Sequence, residues 1–280
     1  MAALSRLCRR GAQSRRAHSR RARVRAKRVI VAHTKPQEIT AVVLAQDEER
    51  NLPRLLESLP AGMPVLVLDH ESRDATARIA QAHGARVITR PFAGFVDARR
   101  YALSQVRTPW TLMIDADERL DRTLRAALLE TQADADAYVL SRTTSYCGKP
   151  LRMWSNEPVL RLFRTDRARV EAAPAAGGRA QLHERWVCEG AVRTLAGTLH
   201  HDSYPDAASY RAKFARYTQT EALGIRASAA ATLMQTLLVP VRFAHALVRR
   251  GALLDGPPGW RVAWYSALYP AVVQWKAIRS

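Results

Sequence analysis

The chain has 280 residues, 48% of them hydrophobic, so it can fold around a core, and its composition excludes a wholly disordered protein. The formal net charge is +19, from 44 Lys and Arg against 25 Asp and Glu. Three cysteines, Cys8, Cys147 and Cys188, lie far apart without a C-x-x-C pair, which argues against a disulfide framework or a structural zinc site and fits a reducing compartment.

Much of the charge lies at the start of the chain, where residues 1–37 hold twelve Lys or Arg and no Asp or Glu. This segment lacks a continuous apolar run, so it does not match a secretory signal peptide, although transit peptides and nucleic-acid-binding tails share its composition. We predict that it is a disordered basic arm with a weak attraction to anionic membrane. The remaining residues carry 44 − 12 = 32 basic and 25 acidic groups and are moderately basic.

From residue 38 onward, short apolar, β-branched runs alternate with amphipathic segments. The predicted strands are 39–44, 65–68, 86–89, 110–114 and 138–140, and the predicted helices are 51–59, 74–82, 95–106 and 121–130. Such alternation indicates right-handed βαβ units. We therefore predict an α/β domain over residues 38–205, with a mainly parallel sheet flanked by helices.

Acidic residues follow three of the predicted strands. Asp47 and Glu48 follow the first strand, Asp69 ends the second, and Asp115 and Asp117 follow the fourth. Because ligands of such sheets bind beyond the carboxyl ends of the strands, these side chains predict a site at one edge. No Gly-x-Gly-x-x-Gly loop follows the first strand, which counts against a dinucleotide-dependent dehydrogenase.

The D-x-D sequence at Asp115 and Asp117 has the pattern of a metal-binding loop. Residues one and three of an extended segment point to the same side, so both carboxylates can face one ligand. Mg²⁺ or Mn²⁺ prefers oxygen ligands and keeps positions open for substrate phosphates. Such an ion stabilises the negative charge that builds on a diphosphate leaving group.

Four segments, in this order and spacing, resemble the motifs of family 2 glycosyltransferases. Residues 39–51 resemble the family's first strand and its K-N-E-E-x-N turn, and residues 69–74 resemble D-S-G-S-T-D. Residues 92–103 resemble W-x-G-F-x-x-x-x-N-x-A-L, and residues 115–118 match D-A-D-E. Further segments are similar to the subgroup that includes lipopolysaccharide-core β-glucosyltransferases: 161–164, 183–184, 201–204, 213–217 and 254–256.

This resemblance implies the GT-A nucleotide-diphospho-sugar transferase fold and a donor site at the strand ends. It implies that Asp47 or Glu48, together with Asp69, hydrogen-bonds the nucleoside base and ribose. Helix capping is an equally good explanation of Glu48. Asp115 is then expected near the ribose and the metal, and Asp117 is expected to bind Mg²⁺ or Mn²⁺ directly.

Four more residues complete the predicted site. The resemblance implies that Glu184 is the general base that takes the proton of the acceptor hydroxyl, unless it is an ordinary core or surface glutamate. His201 is expected to help hold the metal or the diphosphate, or else to be a structural histidine. Arg99 is expected to touch an anionic donor or acceptor. Lys213 is expected to neutralise phosphate, unless it lies on a solvated helix face.

The segment 206–280 is predicted to be helical and membrane-associated. It contains two uncharged runs, 227–241 and 262–275, both shorter than the ~18 residues that span a bilayer. Basic residues and five Trp or Tyr lie close to them, a pattern typical of helices in the membrane interface. Packing on the catalytic domain or on a second subunit is the alternative.

These features together predict a metal-dependent inverting glycosyltransferase. It is expected to move a hexose from a nucleoside-diphosphate sugar, UDP-hexose being favoured, to a lipopolysaccharide-core or other lipid-linked glycan. The expected location is cytoplasmic, peripheral on the inner face of the bacterial inner membrane. One alternative is a nucleotidyltransferase acting on sugar phosphates, which would normally show a Gly-rich phosphate loop. The other is a basic nucleic-acid-binding protein, but no binding motif accompanies the charge, so no specific nucleic-acid partner is expected.

Overall fold

The computed structural model describes residues 35–130, 135–172 and 184–279, so residues 1–34 of the predicted arm lie outside the described residues. The first half runs β1 (Ile39–Ala45), α1 (Leu52–Ser58), β2 (Val65–Asp69), α2 (Thr76–Ala82), β3 (Arg86–Thr89), α3 (Phe95–Ser104), β4 (Trp110–Asp115), β5 (Glu118–Leu120) and α4 (Arg122–Leu129). Six strands follow: β6 (Ala137–Tyr146), β7 (Lys149–Pro150), β8 (Glu157–Arg164), β9 (Ala168–Ala172), β10 (Glu184–Cys188) and β11 (Val192–Tyr204). The last elements are α5 (Ala207–Leu223), α6 (Ala229–Leu237), α7 (Val239–Val248) and α8 (Gly256–Arg279).

Nine strands of the described chain form one sheet in the order β3-β2-β1-β4-β8-β6-β11-β5, with β7 paired to β6. The first four strands in this order are parallel to one another, and β11 is parallel to β6. The strands β5, β7 and β8 run antiparallel to their neighbours. β9 and β10 form a separate two-stranded antiparallel sheet.

All five predicted strands and all four predicted helices are present within a few residues of their expected bounds. The sheet, however, is mixed, and its parallel character is strongest in its first four strands. The predicted fifth strand is part of the longer β6, which does not pair with β4 because β8 lies between them. The chain passes from β6 to β8 without a crossover helix, and such a connection reverses the strand direction.

The core lies on both faces of the sheet, and β1 shows how its sequence produces this. Ile39, Ala41 and Val43 belong to one buried cluster, which includes the apolar sides of α1 and α4. Val42 points the other way and packs with α3. Because successive strand residues point to opposite faces, a strand buried on both faces needs a continuous apolar run.

The helices after residue 205 pack on the β6–β8 region through their own hydrophobic cluster. Tyr146 and Met153 meet Tyr210 of α5 and Val262 of α8 there. The buried Asp255, just before α8, accepts hydrogen bonds from the backbone N–H groups that open the turn at residues 152–154. The helical segment is therefore joined to the sheet by both apolar and polar contacts.

The helices α6 and α7 meet at Leu238 and together form a 20-residue apolar segment, Ala229–Val248. By length and by a mean hydropathy of 1.3 this segment is able to cross a membrane, and only 11% of its most apolar window is buried. The uncharged run 227–241 covers only part of this segment, because Arg242 interrupts the run but not the helix. Core helices of soluble proteins reach the same length and hydropathy, but they are mostly buried.

Candidate active site

The carboxyl ends of β1, β2 and β4 meet at one edge of the sheet. Ala45 of β1 lies beside Asp69 of β2, and Leu44 lies beside Asp115 of β4. The strand order reverses between β1 and β4, and open α/β sheets bind ligands at such reversal points. The structure thus brings Asp69 and Asp115 to either side of the end of β1.

The loop after β1 is fastened to the loop after β2 by side chain–backbone hydrogen bonds. Asp47 Oδ1 accepts from the backbone N–H of Arg73 at 2.7 Å, and the Asp47 N–H donates to Ser72 Oγ at 2.9 Å. Asp47 has a φ of 56°, in the left-handed region that Asp tolerates better than most residues. Asp47 therefore shapes the edge of the site, and its contact with a donor stays a prediction.

Asp69 and His70, at the end of β2, carry buried polar atoms without protein partners. Asp69 is 2% exposed, and its Oδ2 accepts from the Ser72 N–H at 3.3 Å. Asp69 Oδ1 and His70 Nε2 have no hydrogen-bond partner among the described residues. Because an unsatisfied buried polar group costs roughly 1–3 kcal/mol, these atoms favour a polar ligand at this position. Phe92, exposed and edge-on to the His70 ring at 5.0 Å, adds an aromatic surface beside them.

Two buried arginines hold the carboxylate of Asp115. Arg99 Nη2 lies 3.1 Å from Asp115 Oδ1, and Arg161 Nη2 lies 2.5 Å from Asp115 Oδ2. Arg161 Nη2 also donates to Glu118 Oε1 at 2.7 Å, while Glu118 Oε2 accepts from the Asp115 N–H at 3.0 Å. Burial alone would raise the pKa of Asp115, but Arg161 and Arg99 outweigh it and lower that pKa. Asp115 is thus ionised, and each of its oxygens accepts a hydrogen bond from an arginine. One of these arginines is Arg99, which the sequence predicted to contact an anionic donor or acceptor.

Asp117 faces a histidine from the far end of the chain. Its Oδ2 lies 3.3 Å from His201 Nε2, and His201 Nδ1 lies 3.2 Å from Thr144 Oγ1. The pairing of β5 with β11 causes this approach, since it places His201 opposite Glu118. The Asp202 N–H also donates to the Asp117 carbonyl at 2.8 Å. The sequence analysis named both partners but missed β5, the strand that brings them together.

Of the three predicted metal ligands, Asp117 and His201 are adjacent, whereas Asp115 is bound to arginines. In the described part of the chain, no group of three or more His, Cys, Asp or Glu side chains is placed to hold an ion. A Mg²⁺ or Mn²⁺ ion at a diphosphate needs only one or two protein ligands, because phosphate oxygens and water complete its shell. Asp117 and His201 fit that requirement. Both oxygens of Asp115 accept from guanidinium groups, and its contact with the ion stays a prediction.

Glu48 and Lys213, two predicted donor contacts, lie near this pair. Burial raises the pKa of Glu48. The Asn51 hydrogen bond and the Lys213 charge oppose this shift, whereas the Asp117 charge adds to it. Lys213, on α5, donates to the Ser203 carbonyl at 2.9 Å, which fixes its ammonium close to the sheet edge. Lys213 therefore lies inward, off the solvated helix face.

A cavity of about 500 Å³ opens beside His201. Its wall includes two arginines and two aromatic residues: Arg142, Arg250, Trp154 and Tyr204. A second cavity, of about 810 Å³, shares Tyr204 and is lined by α1 and β5. The space around the Asp117–His201 pair is thus large enough for a sugar-sized ligand.

Glu184, the predicted general base, begins β10, opposite Ala172 of β9. Its side chain and the preceding His183 lie outside the described residues. Its catalytic role therefore stays a prediction.

Sequence reasoning assigned no role to three residues that organise the site. Glu118 stands inside the D-A-D-E motif, and Arg161 opens one of the similar segments, so both carried a signal. Because Glu118 is buried beside Asp115, a cation such as Arg161 is needed to offset the burial and repulsion of the two carboxylates. Thr144 carried no signal, because its contact depends on the pairing of β6 with β11.

Comparison with known proteins identifies the family. The model of glycosyl transferase family 2 matches residues 40–185, which is 146 of the 280 residues, or just over half. The chain belongs to glycosyl transferase family 2. It is therefore a glycosyltransferase, and its mixed sheet with flanking helices is the GT-A fold.

Two bacterial glycosyltransferases have sequences similar to the chain. The chain is 30% identical over 177 residues to the lipopolysaccharide core biosynthesis glycosyltransferase LpsC of Rhizobium meliloti, covering 58% of this chain and 62% of LpsC. It is 39% identical over 83 residues to an uncharacterized glycosyltransferase of Mycobacterium tuberculosis, covering 30% of this chain and 38% of that protein. The chain thus spans less than two thirds of these relatives.

Among solved structures, the mannosyltransferase PcManGT of Pyrobaculum calidifontis, in complex with GDP-Man and Mn²⁺, is similar to the chain. It is 14% identical with a TM-score of 0.48, over 89% of this chain and 90% of that chain.

Proposed function

We propose that this glycosyltransferase moves a hexose, with inversion, from a nucleoside-diphosphate sugar to a lipopolysaccharide-core or other lipid-linked glycan. UDP-hexose is the favoured donor, and the reaction is placed in the cytoplasm at the inner face of the bacterial inner membrane. The observation that carries the proposal is the 3.3 Å approach of Asp117 and His201 at the sheet edge where β1 and β4 end. The similarity to LpsC supports the class of acceptor.

The donor is proposed to bind across the ends of β1, β2 and β4. Asp69 Oδ1, buried and without a protein partner in the described chain, accepts a hydrogen bond from the base or ribose, and Phe92 lies beside the base. Glu48 and Lys213 lie toward the ribose and diphosphate. Mg²⁺ or Mn²⁺, held by Asp117 and His201, would stabilise the charge of the diphosphate leaving group.

Asp115 is proposed to act through its fixed charge rather than as a metal ligand. Arg99 and Arg161 hold it, and its N–H is held by Glu118, so the loop carrying Asp117 has a defined shape. A pre-organised loop presents the Asp117 carboxylate without a conformational cost at each turnover.

Glu184 is proposed to take the proton of the acceptor hydroxyl as that oxygen attacks the anomeric carbon. Glu184→Gln then binds donor normally but transfers ~10²–10⁴-fold more slowly. An equal fall in donor affinity would place Glu184 in the donor site instead.

The proposal is tested by measuring nucleotide release from a panel of UDP-, GDP-, ADP- and TDP-hexoses, with and without a chelator. One donor class is expected to be turned over, with activity lost on chelation and restored by Mn²⁺ or Mg²⁺. Chelator-insensitive turnover would remove the metal from the proposal. Cleavage or formation of a nucleoside triphosphate, with sugar phosphate as the partner, would replace transfer by nucleotidyltransfer.

A further inference from the structure

The helices α6 and α7 present an apolar face to the outside of the molecule. Its residues recur at helical spacing, and we call them the outer stripe: Ala230, Leu233, Met234, Leu237, Pro240, Val241, Ala244 and Val248. The five largest of them, Leu, Met and Val, are each 52–72% exposed. On a soluble surface helix the exposed face is polar, so here the usual arrangement is inverted.

The opposite face of this helix pair is held by the protein. Val239 packs with Ala267 and Ala271 of α8, and Phe243 meets Trp264 edge-on at 5.5 Å. α8 in turn packs on α5, where Tyr269 donates a hydrogen bond to the buried Glu221. The helix pair therefore offers one face only, and its 20 residues are not free to be surrounded by lipid as a spanning helix would be.

The charges of residues 206–280, the segment that contains the outer stripe, are mostly positive. Residues 206–280 contain ten Lys or Arg and three acidic residues, Asp206, Glu221 and Asp255. Glu221 and Asp255 are buried, which leaves Asp206 as the exposed acid of the segment. Arg226, before α6, and Arg249, after α7, are both exposed, so they bracket the stripe. An anionic surface complements this distribution.

Exposed tryptophans lie on the neighbouring helix. Trp260, Trp264 and Trp275 of α8 are each close to half exposed. Trp264 contacts Phe243 on the protein-facing side of α7, and close to half of the Trp264 side chain stays exposed. Indole rings favour the boundary between hydrocarbon and headgroups. A second copy of the chain would bring the exposed Arg226 and Arg249 of two identical faces together, whereas anionic lipid attracts these arginines.

We propose that the outer stripe is a membrane-binding surface that lies flat in the interface of a bilayer containing anionic phospholipid. The apolar side chains enter the acyl boundary, while the bracketing arginines meet the lipid phosphates. This inference rests on the proposed function. Binding of the outer stripe to the membrane places the enzyme and a lipid-linked acceptor at the same surface. Vesicle binding needs no donor or acceptor, so this inference and the transfer reaction fail separately.

The test is co-sedimentation of the full-length protein with vesicles of phosphatidylethanolamine and phosphatidylglycerol. The variants are Leu237→Gln and the double variant Leu233→Gln/Leu237→Gln, and the matched control is Val192→Gln at an exposed valine of β11. Binding is measured at low salt and at roughly 0.5 M salt, where charge attraction through the N-terminal segment is screened to a few ångströms. Far-UV circular dichroism and nucleotide release check that each variant is folded.

Leu237→Gln is expected to weaken binding about tenfold, and the double variant more, because each leucine that enters the bilayer is replaced by a polar side chain. The loss should persist at high salt, and Val192→Gln should bind like wild type. Unchanged binding of the double variant, or an equal loss in Val192→Gln, would overturn the proposal. A wild-type dimer in the absence of lipid that the double variant lacks would assign the stripe to self-association and overturn it as well.

Discussion

Two neighbouring histidines in β11 have different surroundings. His201 Nε2 faces Asp117 at 3.3 Å, whereas His200 points to the other side of the strand, where burial and then Arg119 lower its pKa. We predict that His201→Asn raises the Mn²⁺ concentration needed for half-maximal activity at least ~10-fold, because one proposed ligand is lost. His200→Asn should leave that concentration near wild type.

The measurement is nucleotide release titrated with Mn²⁺, together with Mn²⁺ binding to the protein–nucleoside diphosphate complex by calorimetry. Asp117→Asn removes the charge of the other proposed ligand and should lower the rate by several orders of magnitude. Equal Mn²⁺ requirements in both histidine variants would show that His201 has a structural role.

Arg161 is the central cation of the buried charge cluster. Its side chain is 7% exposed and bridges Asp115 and Glu118, and the Glu118 side chain is 0% exposed. Arg161→Met should therefore lower the free energy of unfolding by about 3–5 kcal/mol, because the buried carboxylates of Asp115 and Glu118 lose the cation between them. Arg142, whose Nη1 lies 3.3 Å from Glu118 Oε1, compensates only in part.

The matched control is Arg167→Met, which removes a 2.9 Å ion pair with Asp136 from an arginine that is 53% exposed. Its cost is expected to be about 0–1 kcal/mol. Urea unfolding of both variants measures the difference. Similar losses in the two would mean that burial does not set the strength of the Arg161 cluster.

At the residue scale, the sequence predicted which carboxylates gather at the sheet edge but not what each one touches. Strand-end positions follow from local apolar runs, so Asp69 and Asp115 were predictable. The partners of Asp115 come from α3 and β8, and the partner of Asp117 comes from β11. Those contacts depend on long-range pairing, which no local pattern encodes.

At the element scale, an irregularity in β11 positions His201. The pairing of β11 with β6 shifts register between Thr194 and Thr198, and Gly197 in this bulge has a φ of 100°. A Cβ at Gly197 would lie 2.2 Å from the backbone nitrogen of Leu124, in the first turn of α4. Asp121 reinforces the contact by capping α4 and accepting from the Thr198 N–H at 3.0 Å.

Gly197→Ala should therefore cost at least ~2–3 kcal/mol of unfolding free energy, combining backbone strain with a clash that only movement of α4 or β11 can relieve. Gly84→Ala is the matched control, since Gly84 also has positive φ, 78°, but no atom within 4 Å of an added Cβ. Its cost is expected to be near 1 kcal/mol. Thermal unfolding separates the two cases, and equal shifts would mean that the contact with α4 is not tight.

The βαβ units were predictable because each strand is a short apolar run followed by an amphipathic helix. The later strands were not. β8 contains a proline and two arginines, and β11 contains a glycine, two adjacent histidines and an aspartate. Neither therefore has the continuous apolar run of a strand buried on both faces. Their strand state is decided by pairing with β6, and this pairing also makes the sheet mixed.

At the scale of the whole molecule, the helical segment is part of the folded unit rather than a loose attachment. Cutting the chain near residue 225 would remove α6, α7 and α8 and expose the Tyr146–Met153 side of the sheet. Loss of membrane binding in such a truncation would thus be confounded with loss of the fold. Point substitutions in the outer stripe avoid this, because they change only the exposed face.

The N-terminal segment dominates the long-range charge of the protein. Residues 1–34 hold eleven Lys or Arg and no acidic residue, so deleting them changes the formal net charge from +19 to 19 − 11 = +8. We predict that the deletion leaves the melting temperature near wild type and the turnover of a soluble acceptor within about twofold of wild type, because an acid-free segment without apolar periodicity contributes little to a core.

Binding of the deleted form to anionic vesicles should weaken at low salt and match wild type at roughly 0.5 M salt, where only apolar contact persists. The salt dependence of binding would then separate two attachments that the full chain combines: a diffuse one through the basic segment and a short-range one through α6 and α7. A deleted form that no longer binds at high salt would place the apolar contact in residues 1–34. A deleted form that binds but does not turn over donor would place part of the catalytic site there.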